Sequence, residues 1–123
     1  MVEKQLFNYI EALRRLKLAK ANEDIILRDF GEPSEGEPSA LVAVRKAIAK
    51  NTEEASARVL EAYELLTGTE AKLDLSPKES ECYKLRYYEG LTYSQISQRL
   101  YYSPKSVKRY MDMVKNKLQA LEA

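Results

Sequence analysis

Three helix starts are written into residues 76–104, and they leave that stretch little freedom to be anything but helical. Ser76 is followed by Pro77 and then by Glu79. A serine N-cap, a proline in the first turn and a carboxylate at the third helical position complete a capping box. Thr92 and Gln95 repeat the spacing, Ser103-Pro104 opens a third segment, and Gly90 stands between the first two as a terminator. These marks predict helices over about 77–88 and 93–100, and a third from 104 onward. Val107, Met111, Val114 and Leu118 then fall at i, i+4, i+7 and i+11, the apolar stripe of an amphipathic helix.

Upstream, the pattern is helical as well. Residues 3–28 carry Leu6, Ile10, Leu13 and Leu16 at helical spacing, with Arg14, Arg15, Lys17 and Lys20 on and beside the opposite face. Residues 31–39 read GEPSEGEPS and contain no apolar residue. Pro33 and Pro38 disfavour helix just before them, so a solvated linker is expected here. Ser39 is placed as the N-cap of a long helix over about 40–67. In it Leu41, Val44, Ile48, Ala55, Val59, Ala62 and Leu66 step by three or four, and Gly68 is the expected terminator. Residues 69–75 follow as a short connection. The expected organisation is an N-terminal helix (1–30), a polar linker (31–39), a long helix (40–73) and a C-terminal helix-turn-helix (74–123). The fold class is all-α. Four Gly and four Pro in 123 residues are too few for a turn-rich all-β chain. The long apolar stripe needs a partner, so residues 40–67 are expected to mediate homo-oligomerisation, with helix 3–28 contributing.

Composition then limits the chemistry. The chain has no histidine and one cysteine, Cys82. Imidazole-based metal binding and acid–base catalysis are excluded, and no internal disulfide can form. The carboxylates show no metal-ligand spacing. The expectation is a protein that is not an enzyme, with no cofactor and no metal. No apolar run approaches the roughly 20 residues of a membrane span, and no signal segment is visible, so a cytoplasmic protein without a membrane partner is expected. Charge is unevenly divided. Residues 1–75 carry 11 Lys/Arg against 14 Asp/Glu, whereas residues 76–123 carry 9 against 5. A basic region is the electrostatic footprint of phosphate binding.

The basic region is also the one with the short helix, tight turn and capped helix. Residues 103–118 hold five basic residues and one acid, Asp112. Lys105, Arg109, Asp112 and Asn116 lie opposite the apolar stripe, flanked by Lys108. This is the geometry of a recognition helix in the major groove of duplex DNA. Lys105, Ser106, Lys108, Arg109 and Asp112 are expected to meet the groove, and Ser103 and Tyr93 to hold backbone phosphate. Seven of the nine tyrosines lie between 83 and 110. Most of these are expected to pack, with hydroxyls reaching the surface. Cys82 is expected to be a buried small apolar residue.

The stretch SPKESECYKLRYYEGLTYSQISQRLYYSPKSVKRYMDMVKNKL resembles the helix-turn-helix of the sigma-70 family, the region 4 domain that reads the upstream promoter element. The resemblance is carried by LxxxE at 75–79, LRYYEGLTYSQIS at 85–97 and the serine-to-leucine spacing from Ser103 to Leu118. It implies promoter DNA and contact with RNA polymerase. Two positions depart from the family: Tyr101 stands where the turn usually has glycine, and Gln95 where an acid usually precedes the isoleucine. In size and architecture the chain resembles small phage late-gene regulators of the ArpU/RinA type. That implies a transcription activator at a phage or prophage promoter. Two other functions fit the same pattern, a polymerase- or sigma-interacting protein with weak DNA binding and a small terminase-like DNA-packaging protein.

Overall fold

The computed structural model describes residues 2–122, and these form helices with no strand among the described residues. The class is all-α. The helices are α1 (Val2–Leu6), α2 (Asn8–Phe30), α3 (Ser39–Lys72), α4 (Pro77–Tyr83), α5 (Tyr93–Leu100) and α6 (Pro104–Glu122). A π-helical turn, Lys84–Tyr88, continues α4. Two compact units are present, residues 1–10 with 62–123, and residues 11–61.

The first unit is built on the apolar stripe of α6. Val107, Met111 and Val114 are fully buried and Leu118 nearly so. They pack with Cys82, Leu85 and Ile96, and Leu6 of α1 and Leu66 of α3 join the same core. Burial holds the Cys82 thiol up at about 11, so it stays a protonated core residue. The tyrosines of α4 and the π-turn face inward and spend their hydroxyls on long-range bonds. Tyr83 donates to the Leu66 carbonyl at 2.9 Å, Tyr88 to Glu70 at 2.9 Å and Tyr87 to Glu3 at 3.4 Å. Burial holds all three phenols well above their ordinary value.

Four local expectations need correction. The N-terminal segment is not one helix but breaks at Phe7. Its ring packs on Tyr87 at 5.2 Å and under the Arg86 guanidinium at 5.0 Å, a placement one straight helix does not provide. α3 does not stop at Gly68 but runs to Lys72, taking up most of the expected connection. Leu66 is fully buried and Thr69 nearly so, and that packing outweighs the roughly 1 kcal/mol a mid-helix glycine costs. α4 passes into a π-turn, whose wider winding lets Tyr83, Tyr87 and Tyr88 share one inward face. Ser39 is the first helical residue rather than the cap, and the Pro38 carbonyl accepts from the Leu41 and Val42 amides.

The second unit contains a helical hairpin. Along α2 in this unit the least exposed residues are Ala12, Leu16, Ala19, Glu23 and Ile26, with Leu13 beside them; along α3 they are Leu41, Arg45, Ile48, Thr52, Ala55 and Val59. Both stripes step by three and four, the seam spacing of a coiled coil. Only Ala12, Ala19 and Ala55 are buried, so the seam is thin. The proline-rich connection is mostly exposed, yet Arg45 ties it down. Arg45 donates to both Glu37 carboxylate oxygens, the nearest at 2.8 Å, and to the Gly31 carbonyl at 2.9 Å.

One ion pair joins the two ends of the helix-turn-helix. The Glu79 carboxylate accepts from Lys117 of α6 at 2.6 Å and from the Ser76 amide at 3.2 Å. The Lys117 ammonium holds the Glu79 carboxyl below its ordinary 4.5, burial opposing and the Ser76 bonds assisting. A carboxylate with a lowered folded pKa adds stability that is complete above its unfolded value and lost as pH falls through the folded one. Glu79→Gln should flatten the acid limb of stability below about pH 4.5. At neutral pH it should cost about 1–3 kcal/mol, because Lys117 keeps its charge without an anion. Urea unfolding at several pH values reads both effects, and equal acid slopes in the two proteins would assign the limb to other groups.

Candidate DNA interface

The helix-turn-helix is assembled from caps that the sequence announces and a turn that it leaves open. Ser76 and Thr92 both form complete capping boxes, with Glu79 and Gln95. The Ser103 hydroxyl accepts from the Ser106 amide at 3.1 Å and donates to the Ser106 hydroxyl at 2.9 Å, which starts α6. Between α5 and α6, Tyr101 adopts φ 58° and ψ 32°, the left-handed region. It is the one described non-glycine residue with positive φ, and its side chain is 95% exposed. A conformation that glycine favours is thus held here by a tyrosine. The Ser97 hydroxyl donates to the Tyr102 carbonyl at 2.6 Å and Tyr102 donates to Glu81 at 2.8 Å, so the residue after the turn is pinned on both sides.

With the α6 stripe buried, the opposite face is outward by geometry. Lys105, Lys108, Arg109 and Asp112 are all exposed and lie together in the first half of α6, with Ser106 half-buried beside them. Lys108 and Asp112 pair at 3.0 Å across one helical turn, both largely solvated. A pair of this kind contributes little to stability and opens readily for another partner. The Arg109 guanidinium lies 5.2 Å from the Tyr110 ring centre, and one Nη is 3.5 Å from its hydroxyl. A guanidinium held beside a ring is a planar fork of fixed orientation, the form that pairs with a guanine. Lys105 has no ion pair among the described residues.

Both residues expected to hold phosphate, Ser103 and Tyr93, sit differently. The Ser103 hydroxyl is already engaged in the cap, bonded to both the amide and the hydroxyl of Ser106. Tyr93 is half-buried, and its hydroxyl is sealed from solvent. Its ring is flanked by the Arg86 guanidinium at 5.3 Å and the Lys115 ammonium at 5.5 Å. Tyr93 therefore ties α5 to the π-turn and α6, and its hydroxyl does not present itself to a phosphate.

One basic residue belongs to this surface that sequence reasoning left out. Lys78, in the first turn of α4, places its ammonium 5.7 Å from the Tyr102 ring centre and 5.9 Å from that of Tyr110. Arg109, and after it Lys78, hold the Tyr110 phenol below its ordinary value. Lys78 thereby extends the cationic surface of α6 across to α4. No local pattern announces it, since its neighbours come from the turn and from α6. Lys115 lies on the other flank, half-buried, 3.9 Å from Glu3.

Residues 69–118 match the family model described as Sigma-70, region 4. No curated protein and no solved structure gives a match to the chain. The matched stretch is a sigma-70 region 4-like helix-turn-helix, a DNA-binding module of transcription.

The turn gives a direct test of its backbone. A left-handed conformation costs a residue with a side chain about 1–2 kcal/mol, and glycine loses roughly 0.5–1 kcal/mol more chain entropy on folding. Tyr101→Gly should therefore leave stability unchanged or raise it by up to about 1 kcal/mol. Thermal melts decide, and a clear loss would mean that the exposed ring stabilises the turn.

Proposed function

We propose that the protein is a sequence-specific regulator of transcription that binds duplex DNA as a homo-oligomer and acts at a promoter together with RNA polymerase. The observation that carries this reading is the outward face of α6. There Lys105, Lys108, Arg109 and Asp112 cluster within two turns of a capped helix start, next to a left-handed turn. A face of that composition pairs with guanine through arginine and with cytosine through aspartate, while its lysines neutralise phosphate. The sigma-70 region 4 match supports promoter DNA and the transcription machinery as partners. The size and order of the segments support a phage or prophage late-gene activator working in the host cytoplasm. The protein is read as a positioning factor with no catalysis and no cofactor.

Footprinting on the DNA adjoining the protein's own gene would supply an operator. Affinity for that operator and for scrambled DNA is then measured at several salt concentrations. Arg109→Ala should weaken operator binding at least tenfold and relax the preference at one base pair, since a lost arginine–guanine pair costs about 1–3 kcal/mol. Lys78→Ala should weaken both DNAs slightly and lower the salt slope by about one. If both variants lose affinity equally on both DNAs, α6 does not read bases and the chain is a non-specific DNA binder or a polymerase-facing module instead.

A further inference from the structure

The second unit carries an unpartnered surface of its own. One flank of the α2–α3 hairpin holds a groove of about 250 Å³, floored by Ala12, Ala19 and Ala55. Leu18 stands on its rim and is 66% exposed. Seven residues on from Leu18, two helical turns along the same stripe, lies Ile25; seven residues before Asn51 on the facing wall lies Val44. Both are 43% exposed. Small residues form the floor, Arg15, Glu54 and Arg58 stand among the polar side chains of the walls, and the exposed aliphatics lie at the rim and beyond its ends, so another helix pair can approach closely and bury what this hairpin leaves in water.

The charges say which occupant fits. Residues 11–20 of α2 carry four basic residues and one acid, and residues 21–30 carry one basic residue and three acids. α3 repeats the order, with three basic residues and no acid in 40–51, and one basic residue against three acids in 52–61. Basic before acidic is the reverse of what a helix dipole favours, so the pattern does not serve each helix by itself. It serves antiparallel pairing, as within the hairpin. Two such hairpins laid face to face by a two-fold axis can be related in two ways. An axis across the helices sets α2 on α2 and α3 on α3; an axis along them sets α2 on α3. In both cases every helix pair across the interface is antiparallel, and every basic half meets an acidic half. A surface whose every two-fold self-pairing is complementary is isologous by construction.

We propose that the Leu18–Ile25–Val44 flank is the docking surface for a second copy of this chain, giving a four-helix bundle of two antiparallel hairpins. The inference deepens the self-association part of the proposed function and is independent of DNA binding. Sedimentation equilibrium of the full chain without DNA, at tens of micromolar, is the test. The wild type should sediment as a dimer of 14.1 kDa chains. Leu18→Lys and Ile25→Lys replace side chains already in solvent and spare the fold of the monomer. Each should shift the equilibrium at least tenfold toward monomer with far-UV helical signal unchanged. A monomeric wild type, a trimer or larger ring, or two variants that dimerise as before would each overturn the proposal. Loss of DNA binding in the same preparations would bear only on the function proposed for α6.

Discussion

The orientation of the reading face depends on what α6 buries. Val107, Met111 and Val114 have no solvent exposure and Leu118 almost none. A helix turns about 100° per residue, so fixing that stripe inward fixes Lys105, Arg109 and Asp112 outward without any contact of their own. Everything else in the first unit serves that stripe. α4 is pinned to the far half of α6 by Glu79 and Lys117, α5 contributes Ile96, and α1 closes the end with Leu6. The surface that meets a ligand is thus set by the part of the helix that never does.

Local chemistry was legible and long-range packing was not. Ser76, Thr92 and Ser103 could be read as helix starts because a cap is satisfied by atoms two or three residues away. The buried stripe of α6 could be read because its period is a property of one helix. Gly68 misled because the reason α3 continues lies in the burial of Leu66 and Thr69 against distant helices. The π-turn has no local mark, since the tyrosines that profit from it find partners in Glu3, Leu66 and Glu70. The placement of Tyr93 has no local mark either: Arg86 and Lys115, brought in from either side, flank its ring. Lys78 has no local mark because proximity in space, rather than spacing in sequence, brings it to Tyr110.

The two units solve the problem of burial differently. The first fills its interior with tyrosines, aliphatics and one thiol, and satisfies hydroxyls on carbonyls and carboxylates. The second relies on three buried alanines, which bring little apolar area out of water. A large side chain in that seam would force the helices apart, whereas small ones leave the rim to be covered by something else. The thin interior and the exposed rim have one cause.

The distribution of tyrosine has an optical consequence. The chain has nine tyrosines and no tryptophan, and every tyrosine lies within residues 1–10 or 62–123, the unit that holds the helix-turn-helix. Near-ultraviolet absorbance and emission therefore come almost wholly from that unit, while peptide circular dichroism records both. The protein carries a built-in spectroscopic label on one half and none on the other. Disagreement between the two signals during unfolding would separate the units in a single sample, with no dye attached.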